Sequence, residues 1–234
     1  MDILSFEERI VKSDFTGNNM TLAVTKINGK PIFEIFEPYE REAAENNGSK
    51  YAGWGYEYQF ADRLFEQLIT KSSAASENEA ALMICNGCYE EGCWPLLVTI
   101  DESDTEITWR GFHNHHRSIP AQDGTFWDYS AFPSFHFSKE AYEASLISLL
   151  KIAGGTYRFS THHRKQLEND KICGCFSCIN LFPPSEIIEW CYEEEDGEGV
   201  TAICPYCGID AIIGESTGLP MTQDFLQLLN RYSF

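Results

Sequence analysis

The stretch Cys173-Gly174-Cys175-Phe176-Ser177-Cys178, followed after 25 residues by Cys204-Pro205-Tyr206-Cys207-Gly208, decides how the C-terminal third of this chain folds. Each Cys-x-x-Cys pair presents two thiolates from one tight turn. Two such turns supply the four corners of a tetrahedron, the geometry that zinc takes in structural sites. Cys175, Cys178, Cys204 and Cys207 are therefore the expected ligands of one zinc ion. Cys173 also lies near Cys178 and is an alternative to Cys175, but the Cys-x-x-Cys spacing favours Cys175. Gly208 permits the backbone twist that follows the second pair, and Pro205 stiffens its loop. Four protein ligands close the coordination shell and leave no corner for water or substrate, so the expected ion is structural. The opposing reading, two turns of buried reduced thiols, requires both spacings to arise by chance. A small domain has little core, and a metal staple offsets that deficit.

Between the pairs, Phe182-Pro-Pro-Ser185-Glu-Ile-Ile-Glu-Trp190 reads as a short helix opened by Pro184 or Ser185. The acidic run 193–198 reads as an exposed turn, and Cys191 as a core residue. Strands are expected near 200–203 and 209–213. Thr222 is placed to cap a last helix, Gln223–Asn230, whose Phe225, Leu226 and Leu229 should pack on the metal module.

This segment resembles a family of small bacterial proteins in four of its motifs: Cys-Gly-Cys-Phe-Ser-Cys, Phe-Pro-Pro-Ser-Glu-Ile, Cys-Pro-Tyr-Cys-Gly-Ile-Asp and Ile-Gly-Glu-Ser-Thr-Gly-Leu-Pro-Met-Thr. The resemblance covers residues 173–234. It implies a zinc-ribbon or treble-clef-like module and an association with secreted toxins as immunity proteins. It supplies no catalytic residues.

Upstream, residues 20–27 and 31–37 read as a hairpin of two strands about Asn28-Gly29, a strong turn signal. The second strand would carry Ile32, Phe33, Ile35 and Phe36. A helix is expected over 57–71, with Phe60, Leu64, Leu68 and Ile69 on one face, then a polar loop over 72–78. Strands follow near 80–86, 95–100 and 105–112, the last with Ile107, Trp109 and Gly111 on one face. A helix over 138–152 should bury Tyr142, Leu146, Leu149 and Leu150 and stop at Gly154-Gly155. A domain boundary is expected at Gly154–Phe159. The expected fold class is α+β, with a mixed antiparallel N-terminal domain over 1–155 and the zinc-binding domain over 156–234. The segment 161–171 reads as a linker or short helix, and holds a small basic island at His162-His163-Arg164-Lys165.

The N-terminal domain has its own cysteine-rich stretch, Cys85-Asn-Gly-Cys88-Tyr-Glu-Glu-Gly-Cys93-Trp94-Pro-Leu. It is similar to a second bacterial family with a Gly-Cys-Trp-Pro-Leu segment. In that family one residue separates the two preceding cysteines, whereas two separate Cys85 from Cys88 here. Cys85, Cys88 and Cys93 with one of His113, His115 or His116 would make a Cys₃His zinc set. The alternative is a loop of buried thiols beside Trp94.

The nine cysteines are an odd number, and their knuckle spacing points to metal in a reducing compartment rather than to disulfides. No apolar run reaches the roughly 20 residues that span a membrane, and the acidic start Met1-Asp2-Ile3 lacks a signal peptide's basic region. A cytoplasmic location is expected. The net charge is −19. Residues 1–155 carry 12 basic and 24 acidic side chains (−12), and residues 156–234 carry 5 and 12 (−7). Such a chain repels phosphate backbones and attracts basic partners. Neither a phosphate-binding loop, a dinucleotide fingerprint nor a zinc-protease helix motif is present. The expectation is a non-catalytic acidic binding protein that neutralises a cognate toxin by covering its basic active-site region. The competing expectation is a zinc-ribbon regulatory or nucleic-acid-associated protein.

Overall fold

The computed structural model describes residues 1–13, 17–46, 55–117, 127–193 and 199–234. The chain divides into two compact units, Met1–Ala153 and Gly154–Phe234. Both mix helices with antiparallel sheets.

The first unit opens with strands β1 (Leu4–Lys12), β2 (Asn19–Ile27) and the two-residue β3 (Lys30–Pro31). Asn28 (φ 53°) and Gly29 (φ 77°) turn β2 into β3, as the Asn-Gly signal predicts. The expected strand over 31–37 is instead the start of helix α1 (Ile32–Asn46). Ile32, Phe36, Glu40 and Ala44 recur every four residues and are all buried, which is a helical stripe. Glu40 is the member that hides the pattern, because a carboxylate is not expected on a core-facing stripe. Pro38 inside the same helix adds to the disguise.

Next come β4 (Tyr56–Tyr58) and helix α2 (Ala61–Thr70), which starts later than the sequence suggested because its first residues pair with the sheet. Strands β5 (Glu79–Cys85), β6 (Leu96–Glu102), β7 (Glu106–His113) and β8 (Phe135–Ser138) complete an antiparallel sheet in the order β4-β5-β6-β7-β8. In β5, Ala80–Ile84 are buried one after another, so both faces of that strand are covered. The strict alternation expected in β7 fails at Gly111. Its φ of 64° accompanies a register shift, in which Gly111 and Phe112 together oppose Val98. The bulge exposes Gly111 and sends Phe112 into an aromatic core with Phe36, Tyr39, Phe132 and Phe135. Helix α3 (Lys139–Ile152) is capped by Ser138, whose hydroxyl accepts from Ala141 N–H, and buries Tyr142, Leu146, Leu149 and Leu150. Gly154 (φ 93°) and Gly155 (φ 77°) follow its end.

The second unit begins with single-turn helices α4 (Tyr157–Ser160) and α5 (Arg164–Leu167). Strand β9 (Cys173–Cys175) lies between β10 (Asn180–Phe182) and β13 (Ile212–Gly214), antiparallel to both. Strands β11 (Trp190–Glu193) and β12 (Gly199–Ala202) form a separate hairpin. The helix expected over 182–190 is reduced to one 3-10 turn at Pro184–Glu186; the chain beyond it extends into β11, where Trp190 and Cys191 pair with Ala202 and Thr201. Cys191 is only half-buried rather than a core residue. The acidic turn expected at 193–198 lies outside the described residues but for Glu193. Helix α6 (Gln223–Ser233) closes the unit, with Thr222 Oγ1 accepting from Phe225 N–H. Leu226 rests so closely on Gly174 that a Cβ there would sit 2.8 Å from it.

Candidate metal centres

The turn between β9 and β10 carries Cys175 and Cys178, and the approach to β13 carries Cys204 and Cys207. The four sulfurs lie within 4.8 Å of one another. Cys175 Sγ is 3.7 Å from Cys207 Sγ, and Cys178 Sγ is 3.7 Å from Cys204 Sγ. A tetrahedron of zinc–sulfur bonds of about 2.3 Å has sulfur–sulfur edges of about 3.8 Å. A disulfide would need about 2.05 Å. The spacing therefore fits a tetrathiolate metal centre, formed by the four residues with the Cys-x-x-Cys spacing.

Cys173 is not part of it. Its side chain is fully buried and donates to Phe182 O at 3.2 Å. Burial, with Asp170 nearby, pushes this thiol up to about 12. Burial also pushes the Cys175 thiol up, so a thiolate there requires a neighbouring cation.

Hydrogen bonds within the second unit tie the two knuckles and the last helix together. Phe176 N–H donates to Ala211 O at 2.9 Å, tying the first turn to the segment after the second. The side-chain amide of Asn230 on α6 donates to the carbonyls of Phe176 and Ser177, at 2.9 and 3.2 Å. The last helix thus grips the first knuckle directly, beyond the apolar packing its sequence suggested.

In the first unit, Cys85, Cys88 and Cys93 bring their sulfurs within the same 4.8 Å. Cys85 is half-buried and the other two are exposed, which overturns the alternative of buried thiols beside Trp94. None of the candidate histidines joins this group. His113 Nδ1 lies 2.9 Å from Gly111 O. His115 and His116 face each other at 2.8 Å. His116 stacks on Trp94, with centroids 5.6 Å apart and planes 4° apart, and places Nε2 3.0 Å from Gly92 O. Both cysteine clusters could hold a metal ion.

Two buried polar groupings around the second cluster have no signal in the sequence. Glu91, inside the cysteine-rich loop, is buried and accepts from Gln59 (3.0 Å), Gln67 (2.6 Å) and Ala74 N–H (3.0 Å). Glu40 on α1 pairs with Arg117, and accepts from Tyr56 and Tyr129 at 3.1 and 2.8 Å. The Arg117 guanidinium lies 3.7 Å from the Trp127 ring centre and 4.8 Å from that of Trp94. Residues 77 positions apart in sequence thus neutralise each other inside the unit. No spacing rule links such a pair.

Among the described residues, no helix is long and apolar enough to cross a membrane. Comparison with family models, curated proteins and solved structures gave no match to this chain.

Proposed function

We propose that this protein is a non-catalytic, acidic binding protein for a basic protein partner, and that the partner is a toxin domain whose active-site region it covers. The observation that carries the reading is the outer face of α1. Glu34, Glu42 and Glu45 are exposed there, and none is in an ion pair among the described residues. The only cation on that helix, Arg41, is held by Glu37 at 2.6 Å. An acidic helix face on a chain of net charge −19 speeds encounter with a cationic cleft and repels nucleic acid.

Zinc is the proposed ion at Cys175, Cys178, Cys204 and Cys207. The ligand set is all thiolate, the edges suit a tetrahedron, and four protein ligands leave no reactive corner, so its role is structural. Two knuckles meeting through a three-stranded antiparallel sheet support the zinc-ribbon reading over a treble clef, whose second ligand pair would sit on a helix.

Affinity capture from host lysate at low salt tests the function. Wild type should retain one strongly basic protein, and E34K/E42K/E45K should lose it. Co-expression with that protein should restore growth only for wild type. Equal capture by both proteins, or clear low-salt binding to DNA or RNA in a gel shift, would reject the reading in favour of a nucleic-acid-associated zinc ribbon.

A further inference from the structure

The two knuckles of the tetrathiolate centre share a backbone signature. In the first, Ile179 N–H donates to Cys175 O at 2.8 Å with φ 62° at Ile179. In the second, Gly208 N–H donates to Cys204 O at 2.9 Å with φ 74° at Gly208. The loop after β5 repeats this turn. Tyr89 N–H donates to Cys85 O at 2.9 Å with φ 58° at Tyr89, and Cys85 Sγ accepts from Gly87 N–H at 3.4 Å. Tyrosine is unfavourable in the left-handed region, and such strain persists where the surroundings over-determine it. An N–H aimed at the Cys85 sulfur favours its thiolate, the form a metal binds.

Two anchors hold the rest of the loop. Glu91 anchors its middle through three buried hydrogen bonds, and Trp94 anchors its end between His116 and Gly55. Cys93, between these anchors, is delivered to the Cys85–Cys88 turn as a third sulfur.

We propose that Cys85, Cys88 and Cys93 bind a second zinc ion as a three-thiolate site whose fourth corner faces solvent. Cys88 and Cys93 are both exposed, and no histidine or carboxylate among the described residues shares the cluster. Zinc with three thiolates carries one net negative charge. That charge disfavours a bound hydroxide and favours a neutral donor: water in the free protein, or an imidazole or thiol supplied from outside. The two centres would then differ in kind, one closed and one open to ligand exchange.

Native mass spectrometry of the full chain, purified with zinc and a phosphine reductant, tests occupancy. Two zinc ions per wild-type chain are expected, and one in C88S and in C93S, with unchanged circular dichroism. One ion in wild type that survives C88S, or two ions in C88S, would overturn the site. Cobalt substitution tests the open corner. Added 2-mercaptoethanol should shift the sulfur-to-cobalt charge-transfer band of wild type and leave that of C88S unchanged. No shift in wild type, or an equal shift in C88S, would overturn the open corner. The tetrathiolate centre is read separately, since C88S and C93S retain it.

Discussion

The tetrathiolate cluster and the Cys85 loop use the same turn in opposite settings. In the second unit the first knuckle joins β9 to β10 of a three-stranded sheet, the second lies between β12 and β13, and the strands around them are three or four residues long. There a metal would supplement a small core that includes Phe176, Ile212, Ile213 and Leu226. In the first unit the knuckle hangs from a sheet that already buries Trp109, Phe36, Phe65 and Phe137 completely. There the core supports the knuckle. One local motif can therefore be a fold's keystone or its ornament, and what surrounds it decides which.

The largest effect that would break this comparison is metal removal. Structural zinc contributes on the order of 10 kcal/mol to small modules. Chelation, or C204S, should abolish hydrogen-exchange protection in β9, β13 and α6 while β5, β6 and β7 keep theirs. Equal loss in both units would mean that the first also depends on metal.

Next in size is the Glu40–Arg117 pair. E40A strands a buried guanidinium and should cost about 3–5 kcal/mol in urea unfolding of the first unit. A loss below about 1 kcal/mol would remove this network from the account of how α1 is fastened.

Third is a pH dependence confined to the second unit. His163 is buried there, and burial pushes it down to about 4. The folded unit holds it neutral, while the unfolded chain protonates it below its ordinary value of about 6.5. Stability should be complete above about 6.5 and fall, by on the order of 3 kcal/mol, as pH drops toward about 4. H163F should flatten that slope in thermal scans. An unchanged slope would place the acid sensitivity elsewhere.

The smallest effects sharpen the picture of α6. N230A removes two hydrogen bonds to the first knuckle and should cost about 1–2 kcal/mol, read as faster zinc loss to a chelator. T222A removes only the cap and should cost about 1 kcal/mol without changing the rate of zinc loss beyond that.

The sequence made one class of feature legible: the one with fixed local spacing. The Cys-x-x-Cys pairs, the Asn28-Gly29 turn, the Ser138 and Thr222 caps and the stripe of α3 all depend on residues a few positions apart. What it hid depends on distance. Glu40 broke the helical pattern of α1 because its neutralising partner lies far along the chain, so Ile32, Phe33, Ile35 and Phe36 resembled a strand. Gly111 broke the alternation of β7 because a bulge is set by the neighbouring strand. The helix expected after Phe182 yielded to pairing of β11 with β12. Of the candidate ligands, the four with knuckle spacing converge as expected. The third sulfur of the other cluster is brought in by Glu91 and Trp94, whose anchoring partners are distant in sequence.

X-ray absorption at the zinc edge of the C88S protein reads the centre of the second unit alone. One zinc per chain is expected, with a first shell of four sulfurs at about 2.3 Å. A shell containing nitrogen or oxygen, or a folded second unit without zinc, would contradict it.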